Sequence, residues 1–81
     1  MILKKGDIIK QIKTNPGELF KDTTANGELT YQVIRVNPKT YGLKCIDGYM
    51  KGSGCNLIKS FKEQSTDIYG TVTRWELVKE A

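Results

Sequence analysis

Two cysteines ten residues apart, in a chain with no histidine, are the first side chains that could do covalent chemistry. Cys55 ends a Gly52-Ser53-Gly54-Cys55 run, with Lys51 nearby to favour a thiolate. A nucleophile still needs a base. Without histidine the Cys–His and Ser–His pairings are absent, and the nine carboxylates are scattered with no close pair. The expectation is a non-enzymatic protein. Two cysteines also fall short of the four nitrogen or sulfur ligands of a structural zinc site, so neither metal nor cofactor is expected. A Cys45–Cys55 disulfide would be worth about 3 kcal/mol by loop entropy. A reducing cytoplasm and the core-facing position expected for Cys45 argue instead for two free thiols, Cys55 the more reactive. The glycines of Gly48–Gly54 could let backbone amides approach an anion. That stretch lacks the Gly-Lys-Ser/Thr ending of a phosphate loop, and no clear helix follows it. It reads as a mobile surface loop.

The remaining chemistry is binding. The net charge is +4, and its distribution says more than its size. Between Arg35 and Lys62 lie Arg35, Lys39, Lys44, Lys51, Lys59 and Lys62 against Asp47 alone, a net of +5 that leaves the rest of the chain at −1. Tyr41, Tyr49 and Phe61 are interleaved with these cations, a pattern compatible with a polyanion-binding face. Arg35, Lys39, Lys44, Lys51 and Lys59 are the candidate phosphate contacts. Tyr49 has only Met50 as an apolar neighbour and is the aromatic freest to stack on a base. A Lys-rich solvated surface has the same composition, so charge alone does not separate binding from solubility.

The elements that must position these residues are short strands. The run from Leu29 to Asp47, LTYQVIRVNPKTYGLKCID, holds two β-rich segments around Asn37-Pro38-Lys39-Thr40, a turn-forming break. With Val36 opposite Tyr41, strict pairing sets Ile34 against Leu43 and Gln32 against Cys45. That register puts Ile34, Val36, Tyr41, Leu43 and Cys45 on one face and Val33, Arg35, Gly42 and Lys44 on the other. A lone hairpin is marginal in water, so the other segments must add strands. Lys4–Lys13 reads as a first strand entered through Gly6-Asp7. Thr14–Glu28 reads as one long loop with its tip at Asn26-Gly27. Residues 55–62 fit either a helix behind an Asn56 cap or a strand, and the strand is favoured because Ser65-Thr66-Asp67 then form a turn into Ile68-Tyr69. The end reads as a strand at Thr71-Val72-Thr73, a tight turn at Arg74-Trp75-Glu76, and a last strand Leu77-Val78-Lys79. Trp75 is expected to bury most of its ring at the open end of a barrel. Ile8, Ile34, Val36, Leu43, Leu57, Phe61, Val72 and Leu77 are the expected core. The whole, residues 1–81, is one small all-β barrel of about five short antiparallel strands with two long loops.

At 81 residues, 38% hydrophobic and 27% charged, the chain is near the lower size limit for a self-sufficient core. Association into a homo-oligomer is one way to add buried area. The longest apolar stretches are too short to span a membrane, and Met1-Ile2-Leu3 before Lys4-Lys5 lacks the order of a signal peptide. A cytoplasmic location is expected.

The stretch Lys5-Gly6-Asp7-Ile8-Ile9, the hairpin YQVIRVNPKTYGLK over residues 31–44, and TRWELVK over residues 73–79 together resemble the SH3-like small barrels among accessory proteins of tailed phages and Gram-positive mobile elements. The likeness spans most of the chain, with a departure at Gly48–Gly54, which the plain pattern lacks. These motifs are structural and host many functions. The resemblance implies a binding role, with nucleic acid, phage structural subunits or host defence proteins as partners. Two expectations follow. One is a basic nucleic-acid-binding barrel. The other is a counter-defence inhibitor that docks on a host protein or sequesters a nucleotide signal.

Overall fold

The computed structural model describes residues 1–14 and 28–81; the Thr14–Glu28 loop expected from the sequence lies, apart from its two ends, outside them. Six strands form one antiparallel sheet: β1 (Ile8–Thr14), β2 (Glu28–Val36), β3 (Thr40–Asp47), β4 (Gly54–Ile58), β5 (Gln64–Thr66) and β6 (Val72–Lys79). Their order is β4-β3-β2-β1-β6-β5, curled into a half-barrel. The protein is therefore all-β, as its short alternating runs predict, with six strands among the described residues rather than about five. Among the described residues there is no helix, so none long and apolar enough to cross a membrane.

The concave side of the sheet holds the core: Leu3, Ile9, Leu29, Tyr31, Val33, Tyr41, Leu43, Cys45 and Trp75, with Met1, Leu57 and Phe61 packed against it. The β3 contribution, Tyr41, Leu43 and Cys45, is the one expected. The β2 contribution is not. Val36 does pair with Tyr41, and Arg35 with Gly42, but a β-bulge at Ile34 then sets Val33 against Leu43 and Lys44 against Gln32. Each residue below the bulge changes face. Leu29, Tyr31 and Val33 turn inward, while Ile34 is 40% exposed and Val36 remains exposed at the strand end. Three large apolar side chains are buried in place of Gln32 and Ile34, which is the favourable exchange.

Other corrections have similar causes. Residues 74–76 are not a turn. β6 runs unbroken through them, with Trp75 opposite Gln11 and its backbone N–H donated to the Glu63 carbonyl at 2.7 Å. The Trp75 ring is buried as expected, 5.9 Å from the Tyr31 ring and edge-on to Phe61 at 5.8 Å. A turn there would expose the largest apolar surface in the chain. The turn lies earlier. Ser65 and Thr66 belong to β5, and the Asp67 carboxylate caps the reversal by accepting from the N–H groups of Tyr69 and Thr71 at 2.8 and 3.0 Å. Ile8, Val72, Leu57 and Phe61 are half-buried, and Leu77 is exposed.

One polar group is buried among the apolar ones. Asp7 is 2% exposed. Its carboxylate accepts the N–H of Lys4 at 2.8 Å and the N–H of Ala81 at 2.8 Å, while its backbone carbonyl accepts Val33 N–H at 2.9 Å. Gly6, at φ +96°, makes the turn that aims it; a Cβ there would stand 2.8 Å from that of Ala81. Asp7 thus joins the segment before β1, the middle of β2 and the end of β6. The hydrogen bond from Ala81, then that from Lys4, holds its carboxyl below the ordinary value of 3.8. A depressed carboxyl stabilises the fold above its unfolded value, and that contribution is lost as pH falls through 3.8 towards the folded value. Asp7→Asn is therefore expected to be less stable than the parent at neutral pH and to lose less on acidification below pH 3.8 in urea titrations. Parallel pH profiles would contradict this. Leu43→Ala, at a site 1% exposed, should cost about 2–5 kcal/mol in the same assay.

Candidate nucleic-acid interface

The bulge that fills the core also builds the outer face. Arg35 stands opposite Gly42, and its side chain lies over that glycine: a Cβ on Gly42 would be 3.1 Å from Arg35 Cβ and 3.3 Å from its Nε. Lys44 follows on the same side of β3, about 7 Å further along by strand rise. Gln32 flanks it on β2, and Asn56 and Gly54 of β4 complete the convex surface. Arg35, Gly42 and Lys44 occupy this face as expected from the sequence; Val33 does not.

The other candidate residues lie at the two ends of β3. Lys39 sits in the β2–β3 turn, where its carbonyl accepts Lys59 N–H at 2.9 Å. Lys39 and Lys59, with Pro38, Ile58 and Ser60, line a shallow pocket of about 290 Å³. Lys59 Nζ lies 5.3 Å from the centroid of the Tyr41 ring, a cation–π contact that holds it over the core edge. Tyr49 and Lys51 lie at the far end of β3, about 23 Å away by strand rise. The six residues are thus strung out along β3 as a stripe rather than gathered in one cluster, with Arg35 and Lys44 on the convex face and Lys59 over the edge of the core-facing Tyr41 ring. Lys39 and Lys59 mark one end, Arg35 and Lys44 the middle, and Tyr49 and Lys51 the other end.

None of the five cations is in an ion pair among the described residues. Among the described residues the ion pairs are Lys4–Asp7, Lys10–Glu28, Arg74–Glu76 and the Met1 amino group with Glu63, and none includes a stripe residue. Lys5, Lys13, Lys62 and Lys79 are likewise outside any ion pair among the described residues, but they are scattered over β1, β6 and the connections, whereas Arg35, Lys39, Lys44, Lys51 and Lys59 follow β3 and its flanks.

The Gly48–Gly54 segment is a hydrogen-bonded turn rather than the loose loop its composition suggests. Lys51 N–H donates to the Gly48 carbonyl at 3.1 Å, Gly52 N–H to Cys45 at 2.9 Å, and Ser53 N–H to Met50 at 3.0 Å. Gly48 is fixed by both conformation and space, with φ +115° and Leu29 Cδ2 only 2.7 Å from where a Cβ would stand. Since the Gly48 amide is also taken, by Asp47 Oδ1 at 3.0 Å, these amides cannot cradle a phosphate. Tyr49 projects from the turn, 67% exposed.

Both cysteines are free thiols, as expected. Cys45 is buried and donates to the Asp47 carbonyl at 3.3 Å. Cys55 is exposed as a residue, yet its pairing with Leu43 turns its thiol towards the core face, against the Tyr31 hydroxyl. Loss of solvent there, then the neighbouring Cys45, pushes the Cys55 thiol above its ordinary 9.0. Burial, then Cys55, likewise pushes the Tyr31 phenol up to about 12. A raised thiol is a poor nucleophile at neutral pH. Among the described residues no three Cys, Asp or Glu side chains gather as a metal site would require.

In comparisons with known protein families, curated proteins and solved structures, nothing matches this chain. Iodoacetamide should alkylate Cys55 before Cys45 in the native protein, at a rate still climbing as pH passes 9.0. Equal labelling of both residues, or a rate that levels off well below that pH, would contradict the placement.

Proposed function

We propose that the protein is a non-enzymatic nucleic-acid-binding barrel of phage or mobile-element type, working in the cytoplasm. The observation that carries the reading is the unpaired cationic stripe: Arg35, Lys39, Lys44, Lys51 and Lys59, none neutralised by a carboxylate among the described residues. Keeping like charges together on so small a domain costs self-repulsion, which a polyanion relieves. A stripe that follows a strand is suited to a phosphate backbone, because both are linear arrays. Arg35 and Lys44 form its centre, and Arg35 is held in place by packing on Gly42. Tyr49, exposed at one end, offers a stacking platform beside Lys51. Contact with phosphates alone carries no sequence information, so binding is expected to tolerate most sequences.

The test is a salt titration with labelled single-stranded and duplex oligonucleotides. With roughly five phosphates neutralised, log affinity for single strands should fall with log salt at a slope of roughly −3 to −4. Arg35→Glu with Lys44→Glu should nearly abolish binding at unchanged melting temperature, because both residues are exposed. Tyr49→Ala should cost about 1–3 kcal/mol for single strands and much less for duplex. Absence of binding at low salt would defeat this reading. It would favour instead an inhibitor that docks on a host protein or holds a nucleotide signal.

A further inference from the structure

Among the described residues the two edges of the sheet have no further partner, and they are unlike each other. β5 is three residues long and wholly polar, Gln64-Ser65-Thr66. β4 is five residues long, Gly54-Cys55-Asn56-Leu57-Ile58, with no charge and no proline. Open edges are normally guarded by charge, proline or brevity, because an unpaired strand recruits another. β4 has none of these guards within it.

Its free hydrogen-bonding groups can be assigned. Ser53 accepts Cys45 N–H at 2.8 Å and Lys59 donates to the Lys39 carbonyl at 2.9 Å, so odd-numbered residues of this strand face β3. By alternation, the N–H and C=O groups of Gly54 and Asn56 and the N–H of Ile58 point away from the sheet; the Ile58 carbonyl is taken by Phe61 N–H at 3.0 Å. Beside them Ile58 is 59% exposed and forms the apolar wall of the Pro38–Ser60 pocket. Lys51 stands just before the strand and Lys59 just after it, neither in an ion pair among the described residues.

We infer that β4 is a strand-addition site for an extended acidic peptide, whose backbone extends the sheet and whose apolar side chain enters the pocket against Ile58. Charge selects this occupant. A second copy paired two-fold and antiparallel would bring Lys51 of one molecule towards Lys59 of the other, a repulsive arrangement. An acidic segment meets a cation at either end. Main-chain bonds would supply affinity, and the pocket and lysines the selectivity. The inference goes beyond the nucleic-acid reading: it shares Lys51, Lys59 and the pocket with the cationic stripe but rests on the outward backbone groups of β4 rather than on Arg35 and Lys44.

The test uses the full chain and a fluorescein-labelled peptide of about six alternating Val and Glu residues, with a Val/Lys peptide as control. Wild-type protein should bind the acidic peptide and not the basic one. Amide exchange by NMR should show Gly54, Asn56 and Ile58 unprotected in the free protein and protected in the complex. Asn56→Pro removes only an outward N–H, leaving the β3–β4 ladder whole, and should weaken binding about tenfold or more at unchanged melting temperature. Ile58→Asp should weaken it as well. Failure of the acidic peptide to bind at millimolar concentration would overturn the inference. So would equal binding by Asn56→Pro, protection of these amides by self-association, or their protection by an oligonucleotide instead. None of these outcomes depends on the salt titration, so the two proposals fail separately.

Discussion

The β-bulge at Ile34, just before Arg35 pairs with Gly42, is the constraint on which the rest of this structure depends. Gly42 is the one position in β3 where the missing Cβ lets a long neighbouring side chain lie flat on the strand. Ile34 is the extra residue of the bulge, and everything towards Glu28 on β2 is turned over. One local event thus has two consequences. Leu29, Tyr31 and Val33 enter the core to meet Tyr41, Leu43 and Cys45, and Arg35 is fixed on the convex face in line with Lys44. The hydrophobic interior and the cationic exterior are opposite sides of the same register.

The core so formed is held at its margins by Asp7. A carboxylate that is nearly inaccessible to water is costly unless its acceptors are filled, and here backbone N–H groups from both ends of the described chain fill them. Its carbonyl also bonds Val33, the residue just below the bulge. The Lys4–Asp7 turn therefore braces the strand whose register matters most. Nearby, Leu3 N–H donates to the Tyr41 hydroxyl at 3.2 Å, which gives that buried phenol its partner. Lys59 covers the same ring from outside. Core, brace and basic surface meet around Tyr41.

How much of this could be read from the sequence follows from the range of each interaction. Alternation in Tyr41, Leu43 and Cys45 is local, and the inward face of β3 was legible. On β2 the same alternation misled, since two interleaved sets, Leu29-Tyr31-Val33 and Ile34-Val36, compete for one face. The clue that decides between them is Gly42, a glycine inside a strand, which marks a bulge or a close approach. Trp75 was legible as a buried ring but not as a strand residue, because its partners Gln11, Tyr31 and Phe61 are distant in the chain. Asp7 was legible as the entry to β1 but not as a buried hub, because its bond from Ala81 N–H spans 74 residues. The cations of the candidate site could be named from composition. Their arrangement along β3, and the bare β4 edge beside them, required the strand order.

Two-dimensional ¹H–¹⁵N NMR of the full chain titrated with a single-stranded oligonucleotide at low salt tests the central claim most directly. The account predicts that the amides of Arg35, Gly42, Lys44 and their flank Gln32 shift together and saturably, while those of β1 and β6 stay in place. Shifts centred on β1 and β6, or a spectrum that the oligonucleotide leaves unchanged, would contradict it.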